Sequence, residues 1–93
     1  MLSVNIYHES VDLLKRLISI ESLSRQEDKT ADVLQQFLSQ KGIQVQREMN
    51  NVWAFNKNYK PSKPTILLNS HHDTVRPNAG WIKDPLKPIV EDG

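Results

Sequence analysis

Apolar residues recur every three or four positions in the first twenty residues of the chain. The stripe consists of Val4, Tyr7, Val11, Leu14 and Ile18, with Leu13 and Leu17 on its border. Positions three and four apart lie on the same face of an α-helix, so this spacing predicts a helix from Ser3 to about Ile20 with one buried face.

A second helix is predicted after the segment SIESLSRQED, which breaks this period. Ser24 stands three residues before Glu27, the spacing of a capping box in which each side chain binds the other residue's backbone N–H. The helix is therefore expected to begin near Arg25 and to end at Gly42, because glycine readily adopts the left-handed conformation that stops a helix. Its predicted inward residues are Ala31, Leu34, Phe37 and Leu38.

Shorter segments with strand character follow the second helix. In residues 43–49 Ile43 and Val45 alternate with polar residues, and NVWAF follows the turn signal NN, so a β-hairpin is predicted. After a polar loop, the apolar run TILLN at 65–69 predicts a third strand that is buried on both faces. Two helices followed by three strands indicate an α/β layer.

The last part of the chain, residues 75–93, contains three prolines and has little periodicity, which predicts a long ordered loop. Its final residues, PIVEDG, are typical of a strand that enters a turn, and a further strand normally follows such a turn. We therefore expect these 93 residues to be the N-terminal part of a longer protein.

Composition and charge exclude several classes of protein. Twelve basic and eleven acidic residues leave a net charge of +1, which argues against a nucleic-acid or membrane partner. Lys57, Lys60 and Lys63 surround Tyr59 in one loop, but no second basic patch supports nucleic-acid binding there. The first residues lack the features of a signal peptide and no stretch has the length of a membrane span, so a cytoplasmic protein is expected.

The residues with catalytic or metal-binding chemistry lie in SHHDT, at the end of the predicted third strand. Because side chains alternate in an extended segment, His71 and Asp73 should project to one side and His72 to the other. A ligand imidazole is oriented when its second ring nitrogen donates to a carboxylate, which Asp73 could provide. The same residues also fit a strand end capped by local hydrogen bonds, and spacing alone leaves both interpretations open.

The absence of cysteine limits any metal site to His, Asp and Glu ligands. A catalytic zinc site typically takes three protein ligands and keeps one open position. One histidine and one aspartate therefore cannot complete such a site.

The segment TILLNSHHDTVRP, followed by GWIKDPLKP and EDG, resembles the start of the M20 family of zinc metallopeptidases and amidohydrolases. The family pattern is an apolar strand, HxDTV, and then W, DP, P and DG. The motif is most similar to the acetylornithine deacetylase branch, with its acetylcitrulline and succinylornithine relatives. Ser70 replaces a frequent Gly or Ala, and Arg76 separates Val75 from Pro77, so the resemblance leaves the substrate open.

The resemblance implies a role for each residue of the motif. His71 is expected to bind one of two zinc ions, which cobalt or manganese could replace, and Asp73 is the active-site carboxylate that orients it. His72 falls on the variable position and is expected to be a polar residue on the other face. Trp81 is expected to be a packing anchor, and His8 to lie at the solvent edge of the first helix.

The resemblance also implies a fold and an activity. Residues 1–93 would be the N-terminal segment of a zinc-peptidase-like α/β catalytic domain, a three-layer αβα structure when complete, with the dimerisation domain outside them. The full-length homodimer would hydrolyse the amide of a small N-acylated amino acid such as acetylornithine or acetylcitrulline, in arginine biosynthesis. The general base and remaining ligands would lie beyond Gly93, so the fragment alone should be inactive. The alternative is a complete, non-enzymatic α/β interaction module in which the HxD motif is incidental.

Overall fold

The computed structural model describes residues 2–93, with side chains described from Asn5 onward. Its elements are helices α1 (Leu2–Ile18) and α2 (Asp28–Gln40) and strands β1 (Val45–Glu48) and β2 (Asn51–Ala54). Helix α2 packs against both strands and against α1, which gives a small α/β unit in the predicted order. Neither helix is long and apolar enough to cross a membrane, over the residues described.

The apolar stripe of α1 is only partly covered. Val11, Leu13 and Leu17 are half-buried, whereas Tyr7 and Leu14 remain mostly exposed. The predicted helix is confirmed, but its buried face is smaller than predicted because α2 is the only described helix or strand that packs against it. The side chain of Val4, also assigned to this stripe, lies outside the described side chains.

The capping box predicted for α2 is wrong. The helix begins at Asp28, and its N-cap is Glu27, whose side chain makes no capping hydrogen bond. The chain first makes a tight turn in which the Gln26 N–H donates to the Leu23 carbonyl at 2.7 Å, and Arg25 has a φ of +70°. A residue in this left-handed region cannot form the first turn of a helix, so α2 begins later than the sequence pattern predicts.

The small hydrophobic core lies where α2 faces the segment before it. Ala31 is fully buried, and Leu23 and Val33 are nearly so, while the other predicted inward residues of α2 are half-buried. Gly42 has a φ of +76° just after the helix, which confirms the predicted glycine stop.

The predicted hairpin is confirmed. Its antiparallel register runs from Val45 opposite Ala54 to Glu48 opposite Asn51, which leaves a two-residue loop of Met49 and Asn50. The loop lies one residue earlier than the NN signal suggests. Met49 has a φ of +54°, in the region that a two-residue hairpin loop requires at its first position.

Arg47 attaches this hairpin to α2. Its guanidinium donates to the carboxylate of Asp32, and also to the side-chain oxygen of Gln35 at 3.0 Å. Its Nε donates to the Met49 carbonyl at 2.7 Å, so the same side chain also holds the hairpin loop. The side chain is only 21% exposed, which limits screening of these charge-assisted bonds by solvent.

The third strand predicted at 65–69 is wrong. These residues pair with no strand in the described part of the chain, and Ile66, Leu67 and Leu68 are 86%, 81% and 91% exposed. A strand buried on both faces needs neighbouring strands and a layer on each side, and residues 2–93 supply neither at this position. The apolar run therefore lies on the surface.

The chain as a whole exposes more surface than a folded monomer of its mass. Its accessible area is 8352 Å², compared with about 5,500 Å² expected for a monomeric protein of 10.7 kDa. Its radius of gyration is 15.6 Å, whereas a compact domain of this length has about 12 Å. Residues 55–93 contain neither a helix nor a paired strand of more than one residue, and they account for most of the large exposed apolar side chains.

We predict that Arg47→Met lowers the free energy of unfolding by about 1 to 2 kcal/mol, because the variant keeps the alkyl volume but loses the charge-assisted bonds between β1 and α2. Arg47→Lys should have an intermediate effect, since an ammonium group cannot replace the planar fork of donors. Urea unfolding monitored by circular dichroism would measure both. Arg76→Met is the matched control at an exposed arginine, and an equal effect of the two Arg→Met changes would contradict this assignment.

Candidate functional site

His71 and Asp73 form a hydrogen-bonded pair in the segment that follows the exposed apolar run. The Nδ1 atom of His71 lies 2.9 Å from Asp73 Oδ1 and 3.1 Å from the Asp73 carbonyl oxygen. Both oxygens can only accept when the carboxylate is ionised, so Nδ1 carries the hydrogen. The neutral ring then keeps its lone pair on Nε2, and the side chain is 82% exposed. This is the tautomer in which a histidine can bind a metal ion through Nε2 while its other ring nitrogen donates to a carboxylate.

His72 points away from this pair, as strand alternation predicts, and its ring joins two other parts of the chain. Its Nε2 lies 3.0 Å from the backbone carbonyl oxygen of Asn50, in the hairpin loop. Its Nδ1 lies 2.7 Å from the hydroxyl of Thr30, on α2, a residue that is only 1% exposed. His72 is thus a polar residue on the other face, as predicted, but its two partners do not follow from the sequence pattern.

The backbone of the motif is attached to the segment between the helices. The Ser22 hydroxyl donates to the His72 carbonyl at 2.9 Å, and the Thr74 N–H donates to the Ser22 carbonyl at 2.8 Å. Leu23 and Thr74 also form an isolated parallel bridge. Besides the local contact of His71 with the Asp73 carbonyl, the motif backbone therefore makes long-range hydrogen bonds, which a simple strand cap would not make.

Three residues that support the motif were not predicted from the sequence: Ser22, Thr30 and Asn50. They lie 50, 42 and 22 residues from His72, and no local pattern links positions so far apart. Ser22 and Thr30 are the buried polar residues of the described chain, a property that the sequence alone does not reveal. The turn signal at Asn50 was recognised, but only as a feature of the hairpin.

A polar groove of about 430 Å³ lies beside the motif. Its lining includes Glu27, Asn50, Asn69 and the motif residues 70–73, and one oxygen of Glu27, Oε2, is buried without a hydrogen-bond partner in residues 2–93. Across the same residues, no three His, Asp or Glu side chains are arranged to hold a metal ion. The donor set present here fits one histidine ligand and the carboxylate that orients it.

The other candidate residues lie away from this groove. Trp81 was expected to be a packing anchor, but it is 62% exposed on the wall of an apolar cavity of about 630 Å³ beside the end of α1. His8 is exposed on α1, as expected, and its ring lies edge to face with the ring of Tyr7, with 5.5 Å between the ring centroids. Lys57, Lys60 and Lys63 are exposed in their loop.

Comparison with known proteins identifies distant relatives, among them three enzymes of the same name. Succinyl-diaminopimelate desuccinylase from Wolbachia pipientis subsp. Culex pipiens is 28% identical over 92 residues, which cover 91% of this chain and 22% of the relative. The enzyme of that name from Nitratiruptor sp. is 28% identical over 94 residues, which cover 91% of this chain and 23% of the relative. The one from Nautilia profundicola is 26% identical over 87 residues, which cover 89% of this chain and 23% of the relative. No protein-family model matches the chain.

These similarities support a relationship to M20-type amidohydrolases, and they do not single out the acetylornithine deacetylase branch. The chain spans less than a quarter of the length of the curated relatives it matches. The similarity therefore concerns a segment that contains the HxD motif and excludes most of each relative.

We predict that the neutral ring of His71 carries its hydrogen on Nδ1. Asp73→Ala should shift it toward a mixture of tautomers, because the charged acceptor at 2.9 Å is lost and only the backbone carbonyl at 3.1 Å remains. Ring ¹⁵N chemical shifts at about pH 9, where imidazoles are neutral, distinguish the two forms. The ring of His8, on α1, is the internal reference and should not respond to the substitution. An Nδ1–H tautomer that persists in Asp73→Ala would show that the carboxylate does not determine it.

Proposed function

We propose that residues 1–93 form the N-terminal segment of the catalytic domain of an M20-type amidohydrolase. In this proposal His71 is one ligand of a metal centre whose remaining ligands are supplied by other parts of the full-length protein. The observation that carries the proposal is the ring of His71, which donates from Nδ1 to Asp73 and leaves Nε2 available on an exposed side chain. Histidine ligands of metals almost always have such a carboxylate, carbonyl or water partner.

The proposed reaction is the hydrolysis of the amide bond in a small N-acylated amino acid. Two bound zinc ions, or cobalt or manganese in their place, would polarise the amide carbonyl and activate a water molecule. His71 contributes the lone pair of Nε2, and Asp73 keeps the hydrogen on Nδ1 and holds the ring in place. Asp73 accordingly acts as an active-site carboxylate through His71, while another residue of the full-length protein serves as the general base.

The acyl group defines two versions of this proposal. The motif SHHDTVRP resembles that of acetylornithine and acetylcitrulline deacetylases of arginine biosynthesis, whereas the three curated relatives are named succinyl-diaminopimelate desuccinylases. All of these substrates are N-acylated amino acids, so the same type of amide bond would be cleaved by the same metal chemistry in both versions. The full-length enzyme is proposed to be a homodimer, as the resemblance implies.

The surface of the chain supports a catalytic-domain segment over a complete interaction module. A complete module should cover its apolar runs, but Ile66, Leu67 and Leu68 are consecutive and exposed, and the accessible area is about half as much again as a monomer of this mass shows. In the proposal, further strands and helices of the same domain cover this surface. Nothing in the structure or in the similar proteins favours the non-enzymatic alternative.

We predict that the full-length protein hydrolyses at least one of N-acetylornithine, N-acetylcitrulline and N-succinyl-diaminopimelate when zinc or cobalt is supplied. His71→Ala should reduce kcat/KM by more than about 100-fold because a ligand is lost, and Asp73→Asn by about 10- to 100-fold because the ligand loses its orientation. His8→Ala, the same substitution on the exposed face of α1, should leave activity unchanged. Ordinary activity in His71→Ala would refute the ligand assignment.

We also predict that the isolated 93-residue chain is inactive and binds zinc only weakly, because it supplies a single oriented ligand where a catalytic site takes three. Isothermal titration calorimetry would measure this affinity, with His71→Ala as the matched control. Tight binding of one zinc ion per chain would be incompatible with a site completed by other parts of the protein.

A further inference from the structure

His72 occupies the variable position of the HxD motif, yet its ring and its backbone connect the motif to three separate parts of the chain. We propose that His72 is a positioning residue, which holds the backbone of the motif against α2 and the hairpin loop so that His71 and Asp73 face the groove. The geometric part of this proposal concerns residues 2–93 alone. Its consequence for metal binding and catalysis rests on the proposed function.

Both nitrogens of the His72 ring are engaged, so its position and its plane are determined by two elements. Thr30 is buried on α2, and its hydroxyl oxygen lies 2.7 Å from Nδ1. The Asn50 carbonyl lies 3.0 Å from Nε2, and Arg47, which is attached to α2, approaches the Asn50 side chain at 3.5 Å. The ring therefore bridges a helix and a loop that are themselves connected, and it has no freedom to rotate without breaking a hydrogen bond.

The hydrogen positions follow from what each partner can do. A carbonyl oxygen can only accept, so Nε2 of His72 carries the hydrogen and donates it to Asn50. In the neutral ring Nδ1 is then an acceptor. The Thr30 oxygen lies 2.7 Å from this nitrogen and 3.1 Å from the Glu27 carbonyl oxygen, and we assign the single hydroxyl hydrogen to the shorter contact with Nδ1. His71 has the opposite arrangement, with the hydrogen on Nδ1. The two adjacent histidines are thus held in opposite tautomers, His72 by its bridge and His71 by Asp73.

His71 and His72 therefore have different roles in this arrangement. The ring nitrogens of His72 are both occupied by protein groups, so His72 cannot bind a metal without breaking the bridge. His71 keeps one nitrogen for a ligand. The bridge therefore determines which histidine of the motif is available for metal binding.

The bridge acts on Asp73 through the backbone. His72 and Thr74 are both attached to Ser22, through the His72 carbonyl and the Thr74 N–H, and Asp73 lies between them. The ring of His72 adds the only described side-chain hydrogen bonds from the motif to α2 and the hairpin. Loss of the bridge would leave the motif attached only through the two bonds to Ser22, so its backbone would be held less rigidly and the Asp73 carboxylate would hold His71 in a wider range of orientations.

The test uses the full-length protein with two matched pairs of variants. Thr30→Val removes the hydroxyl at nearly constant volume, whereas Thr30→Ser keeps it. His72→Phe removes both ring nitrogens, whereas His72→Gln keeps one donor and one acceptor. His8→Phe on exposed α1 is the control for introducing phenylalanine. The measurements are kcat and KM, zinc affinity, and the ring ¹⁵N shifts of His71 in protein labelled at histidine.

We expect Thr30→Val and His72→Phe to lower kcat and zinc affinity by about 10-fold or more, the range seen when the partner of a ligand is lost, with a smaller effect on KM. The shifts of His71 should move toward a mixture of tautomers in both. Thr30→Ser should retain wild-type behaviour, and His72→Gln should recover part of the loss. If His72→Phe fails to fold, the isosteric Thr30 pair decides the question.

Two results would overturn the proposal. One is a Thr30→Val protein with lower thermal stability but unchanged kcat, zinc affinity and His71 tautomer, which would show that the bridge only stabilises the fold. The other is a wild-type His72 ring with its hydrogen on Nδ1. If the wild-type protein neither binds zinc nor hydrolyses any N-acyl amino acid, the proposed function fails, while the response of the His71 tautomer to Thr30→Val still tests the bridge.

Discussion

The imidazole of His72, between the Thr30 hydroxyl and the Asn50 carbonyl, is the interaction that holds the HxD motif against both α2 and the hairpin loop. It joins α2, the hairpin loop and the HxD segment, three parts that are far apart in sequence. The buried hydrophobic residues described are only Leu23, Ala31 and Val33, so apolar burial alone contributes little to holding the motif in place. Hydrogen bonds worth about 1 kcal/mol each are a large share of the stability available to so small a core.

The two adjacent histidines of the motif therefore differ in chemistry because their hydrogen-bond partners differ. Asp73 accepts from Nδ1 of His71 and leaves Nε2 exposed, while Asn50 accepts from Nε2 of His72 and Thr30 engages its Nδ1. An imidazole presents a donor and an acceptor in its neutral form, and the acceptor beside one nitrogen determines that the other nitrogen keeps its lone pair. The difference between a proposed ligand and a proposed positioning residue thus lies in the groups around each ring.

The large exposed surface of the chain is consistent with these different roles of the two histidines. The apolar run before the motif and the long loop after it are exposed, whereas the motif itself is attached to α2, the hairpin and the segment around Ser22. A preorganised histidine and carboxylate beside uncovered apolar surface is the arrangement expected of a site that other parts of a domain complete. The distant similarity to desuccinylases, over less than a quarter of their length, agrees with that interpretation.

The sequence by itself determined the features that depend on local periodicity. The two helices, the glycine stop at Gly42, the hairpin, and the pairing of His71 with Asp73 all follow from spacings of two, three or four residues. The start of α2 was predicted too early because a turn at Arg25 replaced the capping box. The burial of residues 65–69 was wrong because burial depends on neighbours that local pattern does not specify. The partners of His72 lie 42 and 22 residues away, so only the tertiary structure showed that its ring bridges α2 and the hairpin loop.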